Sequence, residues 1–377
     1  MNKLLLFDTV DSYVVTHRLA LALAAKACGF DVVVVTSVGA MGRQIRQAGL
    51  RVIHLDCRRS SVNPLSELRV IAQLVRIYRR ERPDLVHHIA LKPVLYGSIA
   101  ARLGGGPAVI NAITGTGHLF SADNLRLGLL TGVVRCALRF LLRGSFVAVQ
   151  NADDAALVRG LGANRVSLIR GSGVDPAVFA PAEPPGPPPT VMLASRLLWE
   201  KGVGVFVDAA RMLQQKGVDA RFVLVGAPDP DNRGSVPEQL LKAWQADGVV
   251  EWWGHLDDMP AVLSRANMAC LPSHYGEGVP KGLIEAASCG LPIVTTDMPG
   301  CRELVVDGEN GFLVPPQDPP ALADALEKLI MDGALRRRMG AAGRARVIAG
   351  FSQQIVIDAT MRLYHDAVRN GSGGVHD

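Results

Sequence analysis

The sequence predicts an α/β protein with two doubly wound parallel-sheet domains, and three observations support this fold class. A chain of 377 residues is longer than one hydrophobic core usually organises, so two domains are expected. Short β-branched runs alternate with helical patterns, which is typical of parallel βαβ units. A proline-rich stretch interrupts this alternation once, and the alternation restarts after it.

The first predicted domain spans residues 1–180. Its candidate strands are short apolar runs, each followed by a helical pattern, at residues 3–7, 31–36, 51–55, 84–89, 108–113, 146–150 and 166–169. Successive parallel strands need crossover helices, so this order predicts a Rossmann-like sheet.

The stretch PAEPPGPPP, residues 181–189, holds six prolines in nine residues and predicts an interdomain linker, because proline interrupts both helices and central strands. The second Rossmann-like domain is predicted over residues 190–351. Its candidate strands lie at 190–194, 221–225, 249–252, 268–271 and 293–296. Residues 352–377 are predicted to form a closing helix and a polar tail.

Composition restricts the compartment. The six cysteines show neither Cys-x-x-Cys pairs nor the spacing of a zinc site, which favours reduced thiols in a cytoplasm. The N-terminal apolar run is too short for a signal peptide, and no run approaches the ~20 residues of a spanning helix. The chain is therefore expected to be cytoplasmic or peripheral to a membrane.

Charge is unevenly divided along the chain. Residues 1–180 hold 22 lysines and arginines against 11 acidic residues, a net charge of +11, and the remainder carries −6. A basic half suits an anionic membrane surface, a pyrophosphate-linked lipid or nucleic acid. Nucleic acid is the weakest of these, because no platform of aromatic and basic residues accompanies the arginines.

The segment 270–297, CLPSHYGEGVPKGLIEAASCGLPIVTTD, carries the most chemistry. It predicts a strand, a glycine-bearing loop, a helix with Pro280 in its first turn and Gly290 just past its end, and a second strand. Glu277 falls in the loop and Glu285 in the helix. The N–H groups of Gly278 and Val279, next to a helix N-terminus, offer an anion site for a diphosphate. Two open parallel sheets facing a central cleft would place such loops at the ligand.

This motif resembles that of the family 4 retaining glycosyltransferases, whose fold is GT-B. The resemblance rests on Glu277 and Glu285 with seven residues between them, followed by Gly290 and Pro292. It implies that Glu285 binds the ribose hydroxyls of a nucleotide sugar, that Glu277 contacts the donor sugar, and that the glycine-bearing loop borders the diphosphate. The alternative is a capped helix with two surface glutamates.

A second motif, ASRLLWEKGV at residues 194–203, directly follows the first strand of the second domain. Arg196 offers a planar fork of donors for phosphate oxygens, and Lys201 offers a point charge. In the resembled family this pair holds the donor diphosphate and stabilises the leaving group. A solvated basic loop is the alternative.

The first domain offers weaker candidates. NAITGTGHLF, residues 111–120, places His118 in a glycine-rich loop, where it is either catalytic or structural. The resembled family often carries its histidine at the strand end, where this chain has Ile113 and Thr114. Arg18, within SYVVTHRLALA, is a candidate contact for a phosphate or the acceptor.

Residues 124–144 combine an apolar face with Arg135, Arg139 and Arg143, spaced by four. Arginines in this register share one helix face. The segment is either a core helix with a basic stripe or a helix whose apolar flank enters an anionic membrane surface.

Cofactor and metal sites are not predicted. Asp-Pro-Asp at 229–231 is followed by Asn and is typical of a turn rather than a metal motif. GLGANR, residues 160–165, lacks the last glycine of a dinucleotide fingerprint, so no nicotinamide or flavin is expected.

Resemblance over nearly the whole chain is strongest to the branch that acts on undecaprenyl-diphosphate-linked sugars. That branch includes the bacillosamine-linked N-acetylgalactosaminyltransferase and O-antigen and capsule transferases. It implies retaining transfer of a hexose or N-acetylhexosamine from a nucleotide diphosphate sugar, UDP-linked, to a lipid-linked saccharide at the inner leaflet of the membrane. The alternatives are a nucleotide-sugar 2-epimerase of the same architecture and a nonenzymatic module that binds nucleotide sugar or lipid.

Overall fold

A seven-stranded parallel sheet organises the first part of the computed structural model, which describes residues 1–57, 63–115, 128–230 and 232–371. The strands in chain order are β1 (Lys3–Val10), β2 (Asp31–Ser37), β3 (Arg51–His54), β4 (Leu85–Ile89), β5 (Ala108–Ile113), β6 (Phe146–Val149) and β7 (Arg165–Leu168). Their spatial order is β3-β2-β1-β4-β5-β6-β7, so the strand order reverses between β1 and β4.

Helices cover both faces of this sheet. They are α1 (Asp11–Tyr13), α2 (Leu19–Ala27), α3 (Gly42–Gln47), α4 (Pro64–Glu81), α5 (Leu91–Gly104), α6 (Gly128–Leu141) and α7 (Ala152–Gly160), and a π-helical turn, Val14–Arg18, joins the first two. The central strand β1 buries Leu4, Leu5, Leu6 and Phe7, because parallel strands covered on both faces read as continuous apolar runs.

A six-stranded parallel sheet organises the second part. Its strands are β8 (Thr190–Ala194), β9 (Arg221–Val225), β10 (Glu251–Trp252), β11 (Met268–Leu271), β12 (Ile293–Thr296) and β13 (Gly311–Val314). Its helices are α8 (Val203–Gln215), α9 (Glu238–Ala246), α10 (Met259–Leu263), α11 (Lys281–Ser288), α12 (Pro299–Leu304), α13 (Pro319–Met331) and α14 (Gly333–Gly350). The spatial order is β10-β9-β8-β11-β12-β13.

The predicted fold class, two parallel α/β sheets, is confirmed, although the sequence prediction missed β13. That strand, Gly311–Val314, pairs with β12 at the sheet edge and follows the turn residues Glu309 and Asn310. A run of only four residues between turn residues is as typical of a loop as of a short strand, so its pattern alone did not identify β13.

The chain divides into two compact units at points other than the proline-rich stretch. The second unit is Gly173–Gln353, and the first comprises Met1–Ser172 together with the chain from Gln354 onward. Val174 is buried in the second unit's core, and Phe179 packs against it. Pro185 accepts a hydrogen bond from Asn267 through its carbonyl oxygen (3.0 Å). Residues 173–189 therefore belong to the second unit, whereas the sequence predicted an interdomain linker at 181–189.

The helix α15 (Gln353–Gly371) returns to the first unit. Its Met361, Leu363 and Tyr364 are buried in the same core cluster as β1 and β4. The hydroxyl of Tyr364 lies 2.8 Å from Nδ1 of His87 on β4. The last helix of the chain thus packs in the same core as the first strand.

Candidate active site

Two neighbouring strands of the second sheet carry the predicted site loops. The loop after β8 contains Arg196 and Lys201, and the loop after β11 contains Glu277. The two strands are hydrogen-bonded neighbours, while β9 lies on the other side of β8. The strand order therefore reverses between β8 and β11, which is where open α/β sheets bind ligands.

A glycine allows the two loops to approach each other. After β8 the chain forms a 3₁₀ turn, Trp199–Lys201, which ends at Gly202 with φ +76°. A Cβ atom on Gly202 would lie 2.0 Å from the carbonyl oxygen of Pro272, next to the end of β11. Only glycine fits this position, because both the left-handed backbone and the close contact exclude a side chain.

Lys201 and Glu277 form an ion pair across these loops. Nζ of Lys201 contacts Oε2 of Glu277, and the two side chains are 13% and 17% exposed. The other carboxylate oxygen of Glu277 accepts a hydrogen bond from Oγ of Ser273 (2.8 Å). A carboxylate and an ammonium group are therefore fixed side by side at the carboxyl end of the sheet.

Arg196 has an acidic partner that sequence reasoning missed. Its Nη1 lies 2.8 Å from Oδ2 of Asp229, in the loop after β9, and the two side chains are partly exposed. The predicted turn is present at this point, because the N–H of Asn232 donates to the carbonyl oxygen of Asp229 (3.0 Å). Asp231 lies outside the described residues.

The helix that carries Glu285 begins next to Pro280, as predicted. Pro280 is the N-cap of α11, so Lys281 is the first helical residue. The predicted end is present, since Gly290 has φ +75°. The N–H of Gly290 donates to Ala287 and that of Leu291 to Ala286, which is a Schellman motif.

Glu285 is buried on α11, with 8% of its surface exposed. Nζ of Lys281, one turn earlier, lies 3.2 Å from its carboxylate. Burial raises the pKa of Glu285 because it disfavours the charged form, and Lys281 opposes this shift without cancelling it. An acceptor group is thus held in a largely dry position, where hydrogen bonds to it are strong.

The backbone between Glu277 and α11 packs closely on the next loop. Gly278, Val279 and Pro280 are buried, and a Cβ atom on Gly300, in α12, would lie 1.9 Å from the carbonyl oxygen of Gly278. The N–H of Gly278 donates to no acceptor among the described residues. A buried N–H without a partner costs free energy, so it favours an incoming acceptor such as a phosphate oxygen.

Gly300→Ala should displace this loop. Relieving a contact of 1.9 Å requires the backbone of residues 278 or 300 to move, and overpacking of this kind costs about 1–3 kcal/mol. Denaturant unfolding should therefore give a lower free energy of unfolding for the variant. The matched control is Gly132→Ala in α6, where a Cβ atom would meet nothing within 4 Å. If the two variants are equally stable, the contact is not structurally important.

Two further candidates from the sequence, His118 and Arg18, belong to the first unit. His118 lies outside the described residues. Arg18 is 8% exposed, and burial lowers the pKa of its guanidinium, with Asp8 and Tyr364 opposing that shift. Its Nε and the Nε2 of His87 have no hydrogen-bond partner among the described residues. These buried polar atoms lie beside the reversal of strand order between β1 and β4.

Helix α6 has a buried side and an exposed side, and the exposed side carries both apolar and basic residues. Leu138 is buried in a core cluster and Leu141 is also buried, whereas Val133 and Phe140 are 59% and 64% exposed. Arg135 and Arg139 are exposed on the helix, and Arg143 follows its end rather than extending the face. Residues 124–127 lie outside the described part.

Neither a membrane-spanning helix nor a metal-binding cluster is found in the part of the chain that the structure describes. None of the helices in that part of the chain is long and apolar enough to cross a membrane. Within the same residues, no three His, Cys, Asp or Glu side chains are grouped in a way that could hold a metal ion.

Comparison with known protein families matches both units. Residues 188–332 match the family model described as glycosyl transferases group 1, and residues 3–148 match that described as glycosyl transferase 4-like. The phosphatidyl-myo-inositol mannosyltransferase of Mycobacterium leprae is 31% identical over 72% of this chain and 71% of its own length. The chain belongs to the group 1, family 4 glycosyltransferases, a family of retaining hexosyltransferases.

A relative and two solved structures extend this result. The N,N'-diacetylbacillosaminyl-diphospho-undecaprenol α-1,3-N-acetylgalactosaminyltransferase of Campylobacter jejuni is 26% identical over 94% of this chain and 96% of its own length. Sucrose-phosphate synthase from Thermosynechococcus elongatus has a TM-score of 0.81 at 21% identity, covering 98% of this chain and 100% of that one. Anabaena HepE in complex with UDP and glucose has a TM-score of 0.77 at 19% identity, covering 97% and 100%. The fold is GT-B.

Proposed function

We propose that the chain transfers a hexose or N-acetylhexosamine, with retention, from a UDP-linked sugar to an undecaprenyl-diphosphate-linked saccharide. One observation supports the donor site. Lys201, in the loop after β8, contacts Glu277, in the loop after β11, and Arg196 lies in the same loop as Lys201. The Campylobacter jejuni relative, which is named for an undecaprenol-linked substrate, supports the acceptor class. The HepE complex with UDP supports the choice of base.

On the donor side, each group has a chemical role. Arg196 and Lys201 hold the diphosphate, and the N–H groups of Gly278 and Val279 add donors at the start of α11. Pro280, the N-cap of α11, has no N–H group of its own to satisfy. Glu285 accepts hydrogen bonds from ribose hydroxyls, and Glu277 accepts them from the donor sugar. The proposed reaction uses no metal or cofactor besides the nucleotide sugar.

The transfer step follows from this placement. The bond between the anomeric carbon and the diphosphate oxygen breaks, and negative charge develops on the leaving diphosphate. Fixed cations next to that charge stabilise the transition state more than the ground state. The acceptor hydroxyl oxygen bonds to the same face of the anomeric carbon, and its proton passes to an oxygen of the leaving phosphate.

Glu285 should give donor binding a pH dependence. Its pKa is raised by burial, so it becomes protonated at a higher pH than an ordinary glutamate as the pH falls. A protonated carboxyl group is a weaker acceptor, and the affinity for UDP should therefore decrease on acidification. Calorimetric titration between roughly pH 8 and pH 5 would measure this. Glu285→Gln should bind more weakly and lose the pH dependence; an unchanged profile would assign it to another group.

The acceptor side is assigned to the first unit. Residues 1–180 carry a net charge of +11, which suits the diphosphate of a lipid-linked saccharide. Arg18 is the proposed contact, because its buried Nε has no partner among the described residues. His118 stays a prediction from the sequence.

We also propose that α6 holds the enzyme at the anionic cytoplasmic face of the inner membrane. Val133 and Phe140 are exposed beside Arg135 and Arg139, so apolar and basic groups are available on one helix. Val133→Glu should lower co-sedimentation with vesicles that contain phosphatidylglycerol and leave UDP binding unchanged. Equal sedimentation of the variant and the wild-type protein would remove α6 from the membrane contact.

The first experiment is a donor-consumption assay with purified enzyme. Several nucleotide sugars are supplied with and without an undecaprenyl-diphosphate-linked saccharide, and the wild-type protein is compared with Glu285→Ala. Release of UDP that depends on the acceptor and is lost in the variant supports the proposal. Conversion of the donor without acceptor would indicate the epimerase, and UDP binding without any turnover would indicate the binding module.

A further inference from the structure

The first unit contains a pocket that the proposed transfer reaction does not use. Its volume is about 240 Å³, below the roughly 300–1,000 Å³ typical of pockets for drug-sized ligands. It is lined by the first residues of three neighbouring strands, Ala108 of β5, Phe146 of β6 and Arg165 of β7. It therefore lies at the amino ends of the strands, at the edge of the sheet opposite to the carboxyl ends.

Three arginines line this pocket: Arg102 on α5, Arg143 after α6, and Arg165 at the start of β7. Among the described residues that line it there is no aspartate or glutamate. Three like charges around one small volume repel each other, and no lining carboxylate compensates them. An anion in the pocket would relieve this repulsion.

Packing holds two of these guanidinium groups in place. Arg102 donates through Nη2 to the carbonyl oxygen of Phe140 (2.7 Å), and its Cζ lies 4.1 Å from the centre of the Phe140 ring. Cζ of Arg165 lies 4.9 Å from the centre of the Phe146 ring. Neither Arg143 nor Arg165 donates a hydrogen bond to another described residue, so their N–H groups are available to a ligand.

We infer that this pocket binds a phosphate group. Guanidinium forks match phosphate oxygens in geometry and charge, and convergence of three of them favours phosphate over a singly charged carboxylate. The pocket is too small for a whole nucleotide sugar. Leu103 and Phe140, 57% and 64% exposed next to lining residues, favour the headgroup of an anionic lipid as the source of the phosphate.

The test compares two double variants that remove equal charge. Arg143→Ala/Arg165→Ala removes the two arginines without hydrogen bonds to described residues, whereas Arg102 is kept because it binds the end of α6. The control, Arg43→Ala/Arg46→Ala, removes two exposed arginines of α3 in the same unit. Thermal unfolding of both variants first establishes that each is folded.

Binding is then measured with two probes. Glycerol 3-phosphate, titrated by calorimetry, reports the soluble phosphate, and co-sedimentation with phosphatidylglycerol vesicles, against pure phosphatidylcholine, reports the lipid headgroup. The pocket variant should bind glycerol 3-phosphate roughly tenfold or more weakly than the wild-type protein, and the control should not. Arg196→Ala, which alters the proposed diphosphate site, should bind glycerol 3-phosphate normally, and this separates the pocket from the donor site.

Each outcome decides the inference. If the pocket variant loses binding of both probes and the control variant loses neither, the ligand is a lipid phosphate. Loss of glycerol 3-phosphate with unchanged vesicle binding keeps the phosphate site and assigns it to a soluble phosphorylated compound. Equal behaviour of the pocket variant and the control with both probes would overturn the inference.

Discussion

Arg196→Ala is expected to lower kcat by roughly 10²- to 10³-fold, the usual effect of removing one fixed donor that stabilises developing charge. The guanidinium lies at the carboxyl end of β8, and its ion pair with Asp229 at 2.8 Å fixes its position. Stabilisation is greatest when charge accumulates on the leaving diphosphate, so kcat should decrease more than the affinity for the donor. Steady-state release of UDP in the presence of acceptor measures both effects.

The matched control for this variant is Arg221→Ala. Arg221 also forms an ion pair, with both of its bonds to Glu251 at 2.8 Å, but it begins β9 at the opposite edge of the same sheet. Removing it should leave kcat unchanged and cost at most about 1 kcal/mol of stability, because the pair is exposed. Equal losses of kcat in both variants would mean that Arg196 acts through stability alone.

Glu277→Gln is expected to lower kcat/KM by roughly ten- to a hundredfold, since a hydrogen bond to a charged acceptor is lost. The substitution keeps the shape of the side chain and its contact with Ser273. It also removes the negative charge beside Lys201. The kinetic constants for donor and acceptor, measured separately, show which substrate contacts Glu277.

Coupling between the two residues can be measured with a double-mutant cycle. Lys201 and Glu277 are in contact, so the effects of Lys201→Ala and Glu277→Gln should not add. The control is Glu327→Gln, which breaks the exposed pair between Lys216 and Glu327 (2.9 Å) in the same unit and should leave the kinetics unchanged. Additive effects of the first two variants would show that the pair has no joint function.

Much of the fold could be predicted because its signals are local. The apolar runs of β1 and β8 match the structure, and Gly290, just past the end of α11, terminates the helix because glycine readily adopts a positive φ. The proline-rich stretch was less informative. Composition marks a break in secondary structure, but burial of Val174 and Phe179 decides which unit the preceding residues join.

In the candidate site, too, the residue types could be predicted from the sequence but their tertiary contacts could not. The types and spacing of Arg196 and Lys201 could be recognised in the sequence. The pairing of Arg196 with Asp229, 33 residues away, could not, because it depends on the direction of two side chains in different loops. The contact between Gly300 and Gly278 likewise arises from backbone distances that composition does not encode.

The return of α15 to the first unit has a consequence for synthesis of the chain. The second unit is one continuous segment, Gly173–Gln353, so all of it is synthesised before α15. Until then the first sheet lacks the buried side chains of Leu363 and Tyr364, and the ring of His87 lacks its partner. Exposed apolar surface on an incomplete domain promotes aggregation during translation. The sheet that is synthesised first is thus the one whose core is completed last.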